Sequence, residues 1–145
     1  MLFRSRLHLS SNCIRDLDDA CLDRLTGLHS LSLQNNPLEK LPWHFPRLRQ
    51  LLELDISNNK FKTFPIVVTQ LESLRDLNIS FNMITELPEE IGKMKMLQTF
   101  FIVGNQFTKF PDEASGMTSL CLLDCRRNAS TDLSVICMLS KIHTL

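Results

Sequence analysis

The sequence has no excess charge of either sign, no long apolar run and only four glycines. Sixteen Lys and Arg balance sixteen Asp and Glu, so no long-range field draws the whole chain onto nucleic acid or an anionic membrane, and charge-based recognition must be local. No apolar stretch approaches the roughly 20 residues that cross a bilayer. The opening Met1-Leu2-Phe3-Arg4-Ser5-Arg6 also lacks the apolar block of a secretory signal. The expectation is a cytoplasmic protein that reaches a membrane, if at all, through a partner. With so little glycine there is no phosphate loop or dinucleotide fingerprint, and no Ser/His/Asp arrangement can be traced. Cys13, Cys21, Cys121, Cys125 and Cys137 form neither a CxxC pair nor a zinc-type Cys/His spacing. Reduced, mostly buried thiols are expected. Catalytic residues, cofactor, metal and small-molecule substrate are all expected to be absent.

What is present is a period. Asparagines recur at Asn12, Asn36, Asn59, Asn82, Asn105 and Asn128, at intervals of 24 and then 23 residues. Around each lies LxxLxLxxNxL, clearest in Leu51-Leu54-Ile56-Asn59-Phe61 and Leu74-Leu77-Ile79-Asn82-Ile84. Leu28-Leu31-Leu33-Asn36-Leu38 precedes these copies; Leu97-Phe100-Ile102-Asn105-Phe107 and Leu120-Leu123-Cys125-Asn128 follow. A fixed period of this length marks a solenoid. The LxL step has the period of two that puts both leucines on one face of a short strand, and stacked copies make a parallel sheet. The turn after each strand leaves backbone donors and acceptors in the interior, where a carboxamide can both donate and accept. The six asparagines are therefore expected to form a structural ladder.

Four repeats continue with an apolar-Pro step, at Leu41-Pro42, Phe64-Pro65, Leu87-Pro88 and Phe110-Pro111. Apolar residues follow three and six positions later: Phe45 and Leu48, Val68 and Leu71, Ile91 and Met94, Ala114 and Met117. That spacing predicts one or two helical turns on the convex side, with proline at the first position and Glu89-Glu90 and Asp112-Glu113 facing the positive end. Trp43 is expected on the same side, covering the core. His8, His29, His44 and His143 fall in different repeats or on different faces, so no metal or catalytic cluster assembles and surface histidines are expected. The Asn78-Ile79-Ser80 and Asn128-Ala129-Ser130 sequons are set aside, the second because its asparagine belongs to the ladder.

The period and the Leu-Pro step resemble the intracellular leucine-rich repeats called the Ras group, over nearly the whole chain. The resemblance implies an α/β solenoid over residues 1–145: a curved array of about six repeats, a short-stranded parallel sheet on the concave face and short helices or turns behind. Such arrays are non-catalytic protein-protein interaction modules, so a signalling adaptor or regulatory segment is implied. Leu77-Asn78-Ile79-Ser80-Phe81-Asn82, Val103-Gly104-Asn105 and Leu123-Asp124-Cys125-Arg126-Arg127-Asn128, running on to Leu139-Ser140-Lys141-Ile142, also look like the repeats of fungal adenylate cyclases. That family implies a Ras-type small GTPase as partner, with catalysis outside this chain. A phosphatase-regulator kind of scaffold is a third reading, drawn from the 22-residue spacing of the last repeat. Leu139, Ile142 and Leu145 begin a further copy, and Arg4 stands where a first leucine belongs. Neither end carries a polar cap, so a chain truncated at both ends is expected, with marginal stability.

Residues alternating with the buried leucines point out of the concave face and map the expected partner-binding surface. Glu53, Asp55 and Asp76 form an acidic zone beside Asn78; Phe101, Val103 and Leu122 form an apolar one; Arg126 and Arg127 form a basic edge beside Asp124. Phe101 is the residue expected to matter most, because a solvent-facing aromatic among Ser, Asp and Asn marks a contact.

Overall fold

The computed structural model describes residues 5–129. Within them, six short strands form one parallel sheet in chain order: β1 (Ser5–His8), β2 (Leu28–Ser32), β3 (Glu53–Asp55), β4 (Asp76–Asn78), β5 (Thr99–Phe101) and β6 (Leu122–Asp124). The register follows the repeat. Leu31 pairs with Leu54, Leu54 with Leu77, Leu77 with Phe100 and Phe100 with Leu123. The leucines of the LxL step thus stack in one column on the buried face. The 24-residue first interval is absorbed at the sheet's first pair, where the register shifts between Ser5 and Arg6.

Behind the sheet, among the described residues, lie five 3-10 turns, Leu22–Arg24, Phe45–Arg47, Ile66–Gln70, Glu89–Lys93 and Asp112–Gly116. Their type follows from the apolar spacing: at three residues per turn, side chains at i and i+3 eclipse. Phe45 and Leu48, Val68 and Leu71, Ile91 and Met94, and Ala114 and Met117 all face the core and are buried. Proline stands one position earlier than expected. Pro65, Pro88 and Pro111 are the extended residues just before their turns. Their carbonyls accept the first turn bonds, from Val68, Ile91 and Ala114 at 2.9, 3.0 and 3.0 Å. The acidic pairs Glu89-Glu90 and Asp112-Glu113 lie in the first turn as expected. A turn with its side chains is wider than the roughly 4.8 Å between strands, so the turns fan outward and the sheet lines the inside of the curve. Where two turns come closest a side chain cannot fit: a Cβ on Gly92 would collide with the Glu113 carbonyl, and one on Gly116 with the Gly92 carbonyl.

The asparagine ladder ties the repeats together. Asn82 donates to Ile79 and Ser80 of its own repeat at 3.0 and 3.4 Å and to Ile56 of the preceding one at 3.1 Å, while its Oδ1 accepts the Phe61 amide at 3.1 Å. Asn36, Asn59 and Asn105 repeat the pattern on the preceding Leu9, Leu33 and Ile79 carbonyls and on the Ile14, Leu38 and Ile84 amides. All four are buried. Asn12 is exposed and bonds only to the Leu9 and Ser10 carbonyls of its own repeat. Asn128 is half-buried; its Nδ2 reaches back to Ile102, but its buried Oδ1 has no partner among the described residues.

Three expectations about single residues are corrected. Trp43 does not cover the core: it is 75% exposed, edge-on to His44 and beneath the Arg47 guanidinium at 5.4 Å. The residue after each proline points away from the stack, as Ile66, Glu89 and Asp112 do at the same place, and tryptophan is no exception. Cys13, Cys21 and Cys121 are exposed because they sit off the apolar columns; Cys125 holds the column place of Ile102 and packs against the core, half-buried, where burial raises its pKa and the Asp124 charge adds to the shift. His8 is exposed, but His29 and His44 are half-buried, each with one ring nitrogen lacking a hydrogen-bond partner. The His44 Nε2 lies 3.7 Å from Asp23. Arg4, Cys137, His143 and the repeat copy at Leu139, Ile142 and Leu145 lie outside the described residues.

Candidate functional site

Because residues two apart along a strand share a face and neighbouring strands pair in register, the sheet sets the outward residues in rows. Glu53 pairs with Asp76 and Asp55 with Asn78; Asn78 in turn pairs with Phe101, and Phe101 with Asp124. Thr99 pairs with Leu122. The acidic zone is thus contiguous over β3 and β4, and the aromatic stands on the next strand.

Two depressions follow these rows. One, of about 450 Å³, is lined by Glu53, Asp55, Asp76, Asn78 and Phe101, with Arg6 toward the β1 end. The other, of about 420 Å³, is lined by Asn78, Ser80, Phe81, Phe101, Val103 and Arg126. Phe101 and Asn78 wall both, so the acidic and apolar zones are one continuous surface. Phe101 is half-buried rather than fully solvent-facing, and Val103 and Leu122 are likewise half-buried. A larger depression of about 880 Å³ lies on the other side, among Arg49, Glu72, Glu90, Lys93 and Lys95. Its mixed charges offer no single complement.

The polar groups of the site are partly engaged with one another. Asp55 Oδ1 accepts the Ser57 amide and hydroxyl at 2.9 and 2.6 Å, and Asn78 Nδ2 lies 3.5 Å from Asp55 Oδ2. The basic edge is altered more. Arg126 grips Asp124 with Nε and Nη2, at 2.9 and 2.6 Å. This fork, first through its side-chain hydrogen bond, holds the Asp124 carboxyl below the usual carboxylate range and raises the Arg126 value. The expected basic edge is thus largely self-neutralised at Arg126. Asp124 and Arg126 are two apart, so they share a face and can pair.

Phe81 is the site residue the sequence reading left out. It is 44% exposed and has φ +55°. The residue before each ladder asparagine adopts this left-handed conformation: Ser11, Asn35, Asn58, Phe81, Gly104 and Arg127. Asparagine and glycine suit it; a bulky aromatic is strained there. The Phe81 ring lies across Gly104, whose own φ is +66° and whose missing Cβ would stand 2.6 Å from Phe81 Cδ1. The signal was visible in the sequence as one aromatic in a column of Ser, Asn, Gly and Arg.

Among the described residues no helix is long and apolar enough to cross a membrane. Residues 26–84 match the Leucine rich repeat family. Among solved structures, a leucine-rich repeat protein of Leptospira interrogans superposes with a TM-score of 0.85 and is 31% identical, over 97% of this chain and 36% of its own length. An internalin of Listeria monocytogenes superposes with a TM-score of 0.81 at 26% identity, over 96% of this chain and 39% of its own. The chain therefore spans little more than a third of either relative. No curated protein matches it.

Proposed function

We propose that this leucine-rich repeat array is a non-catalytic module that binds a protein partner on its concave face. The observation that carries the reading is the surface walled by Phe101: an aromatic on a largely polar and charged face, continuous with an acidic row on one side and with Phe81 and Val103 on the other. Aromatic side chains at the centre of a concave, polar-rimmed surface are where interface energy concentrates. In affinity capture from source cells, Phe101→Ala is expected to lose proteins retained by the wild-type chain while melting at nearly the same temperature. Equal capture by both would refute the concave site.

A second reading makes the partner a Ras-type small GTPase and the chain part of a longer protein of the fungal adenylate cyclase kind, acting in the cytoplasm. Its support is the resemblance of the later repeats, together with Arg126 and Arg127 at the rim, where an acidic effector face would dock. The Asp124–Arg126 fork weakens that docking, because the partner must compete with a carboxylate already in place. Capture of a GTPase only in its GTP-loaded form would support this reading; nucleotide-independent capture, or none, would reject it.

A further inference from the structure

The concave face also constrains the chemistry of what it binds, and this inference rests on the concave-site reading. We propose that its ligand is an extended basic segment carrying one large apolar anchor. The anchor packs against Phe81 and Phe101, and the basic residues lie over Glu53, Asp55 and Asp76. The charge balance sets the sign. Of the charged groups walling the depression over β3 and β4, three are acidic and one, Arg6, is basic. On the far side Arg126 is held by Asp124. A basic partner meets attraction across the middle of the sheet and an opposing cation, Arg6, at the β1 end.

Phe81 sets the place of the anchor. A left-handed aromatic, strained and half-exposed, is over-determined by the Asn82 clamp behind it and by the Gly104 cradle beside it. The conformation recurs at this place in each described repeat, but only at Phe81 among the described residues does it hold out an exposed aromatic. Its neighbours across the rim, Phe101 and Val103, complete an apolar wall one to two strands from the acidic row. The spacing follows. From β3 to β5 is about 10 Å, two strand separations, and an extended chain advances about 3.3 Å per residue. The basic residue and the anchor therefore stand about three positions apart in the ligand.

A displayed library of random dodecapeptides, selected on the wild-type chain, tests this. Enriched sequences are expected to pair Phe, Trp, Leu or Ile with Lys or Arg about three positions away. A synthetic consensus peptide is expected to lose at least tenfold in affinity on Phe81→Asn, a residue at ease in the left-handed region, and on Asp55→Asn with Asp76→Asn. Its binding is also expected to weaken with added salt. Enrichment of neutral or acidic sequences, no enrichment, or affinity unchanged in both variants overturns the proposal. If neutral peptides are enriched and still lost on Phe101→Ala, the concave site stands and only the ligand chemistry falls. If the selected peptides ignore Phe101→Ala, both fall.

Discussion

The same residue does different work in the middle of the ladder and at its edges. Asn36, Asn59, Asn82 and Asn105 are buried with both ends of the carboxamide engaged, each spanning two repeats. Asn12 stays within its own repeat in solvent, and Asn128 keeps its backward bonds but leaves a buried oxygen unpaired among the described residues. The asparagine holds the same place in the repeat in all six. What differs is the neighbour, so the energy of a ladder residue belongs to the junction between repeats.

This contrast can be broken by substitution. Asn82→Ala leaves the buried Phe61 amide without its partner, while the Ile56, Ile79 and Ser80 carbonyls lose one donor each but keep Asn59, Asn105 and the Asn58 amide. At about 1–3 kcal/mol for a buried group left unpaired, a loss of about 2 kcal/mol in denaturant unfolding is expected. A loss below about 1 kcal/mol would mean that water replaces the side chain. Asn128→Ala gives up fewer bonds in a half-exposed setting and should cost about 1 kcal/mol. Asn12→Ala, being solvated already, should stay within about 0.5 kcal/mol. Equal effects at positions 12 and 82 would show that the asparagine acts locally, through the turn it closes, and not across the junction.

The smallest expected effect is electrostatic and lies at the β6 side. The folded-state pKa of Asp124 is depressed below its ordinary value of 3.8 by its bond to Arg126. The stabilisation is therefore complete above that ordinary value and is lost as the pH falls through the lower, folded one. Asp124→Asn should lower stability slightly near neutral pH and remove this part of the acid limb. An NMR titration of Asp124 that stays at the ordinary carboxylate value would show that the fork does not persist in solution.

Most of the fold was legible in the sequence because a period of 23 residues leaves a stacked chain few alternatives. The strand columns, the buried apolar pairs behind the prolines and the adjacency of Glu53, Asp55 and Asp76 all follow from counting. Reasoning from residue type was less successful. Trp43 and the exposed cysteines follow their places in the repeat and not the average burial of their kind; Ile66, Glu89 and Asp112 occupy the place of Trp43 and already pointed outward. Pairing within the site was harder to read. That Arg126 turns back on Asp124 depends on side-chain reach, and that Phe81 lies over Gly104 depends on two consecutive left-handed residues in adjacent repeats. Phe81 stands out within its own column of the repeat; the fork does not follow from position alone.

One feature of the ladder bears on how the chain is made. Asn36, Asn59, Asn82, Asn105 and Asn128 all donate to a carbonyl of the repeat before them, and the first four also accept an amide from it. These cross-repeat bonds run toward residues with lower numbers. A ribosome releases the amino-terminal side first, so each asparagine finds its partners already synthesised. The solenoid can lengthen one junction at a time as it emerges, with the clamp for each new strand arriving only after the strand it grips.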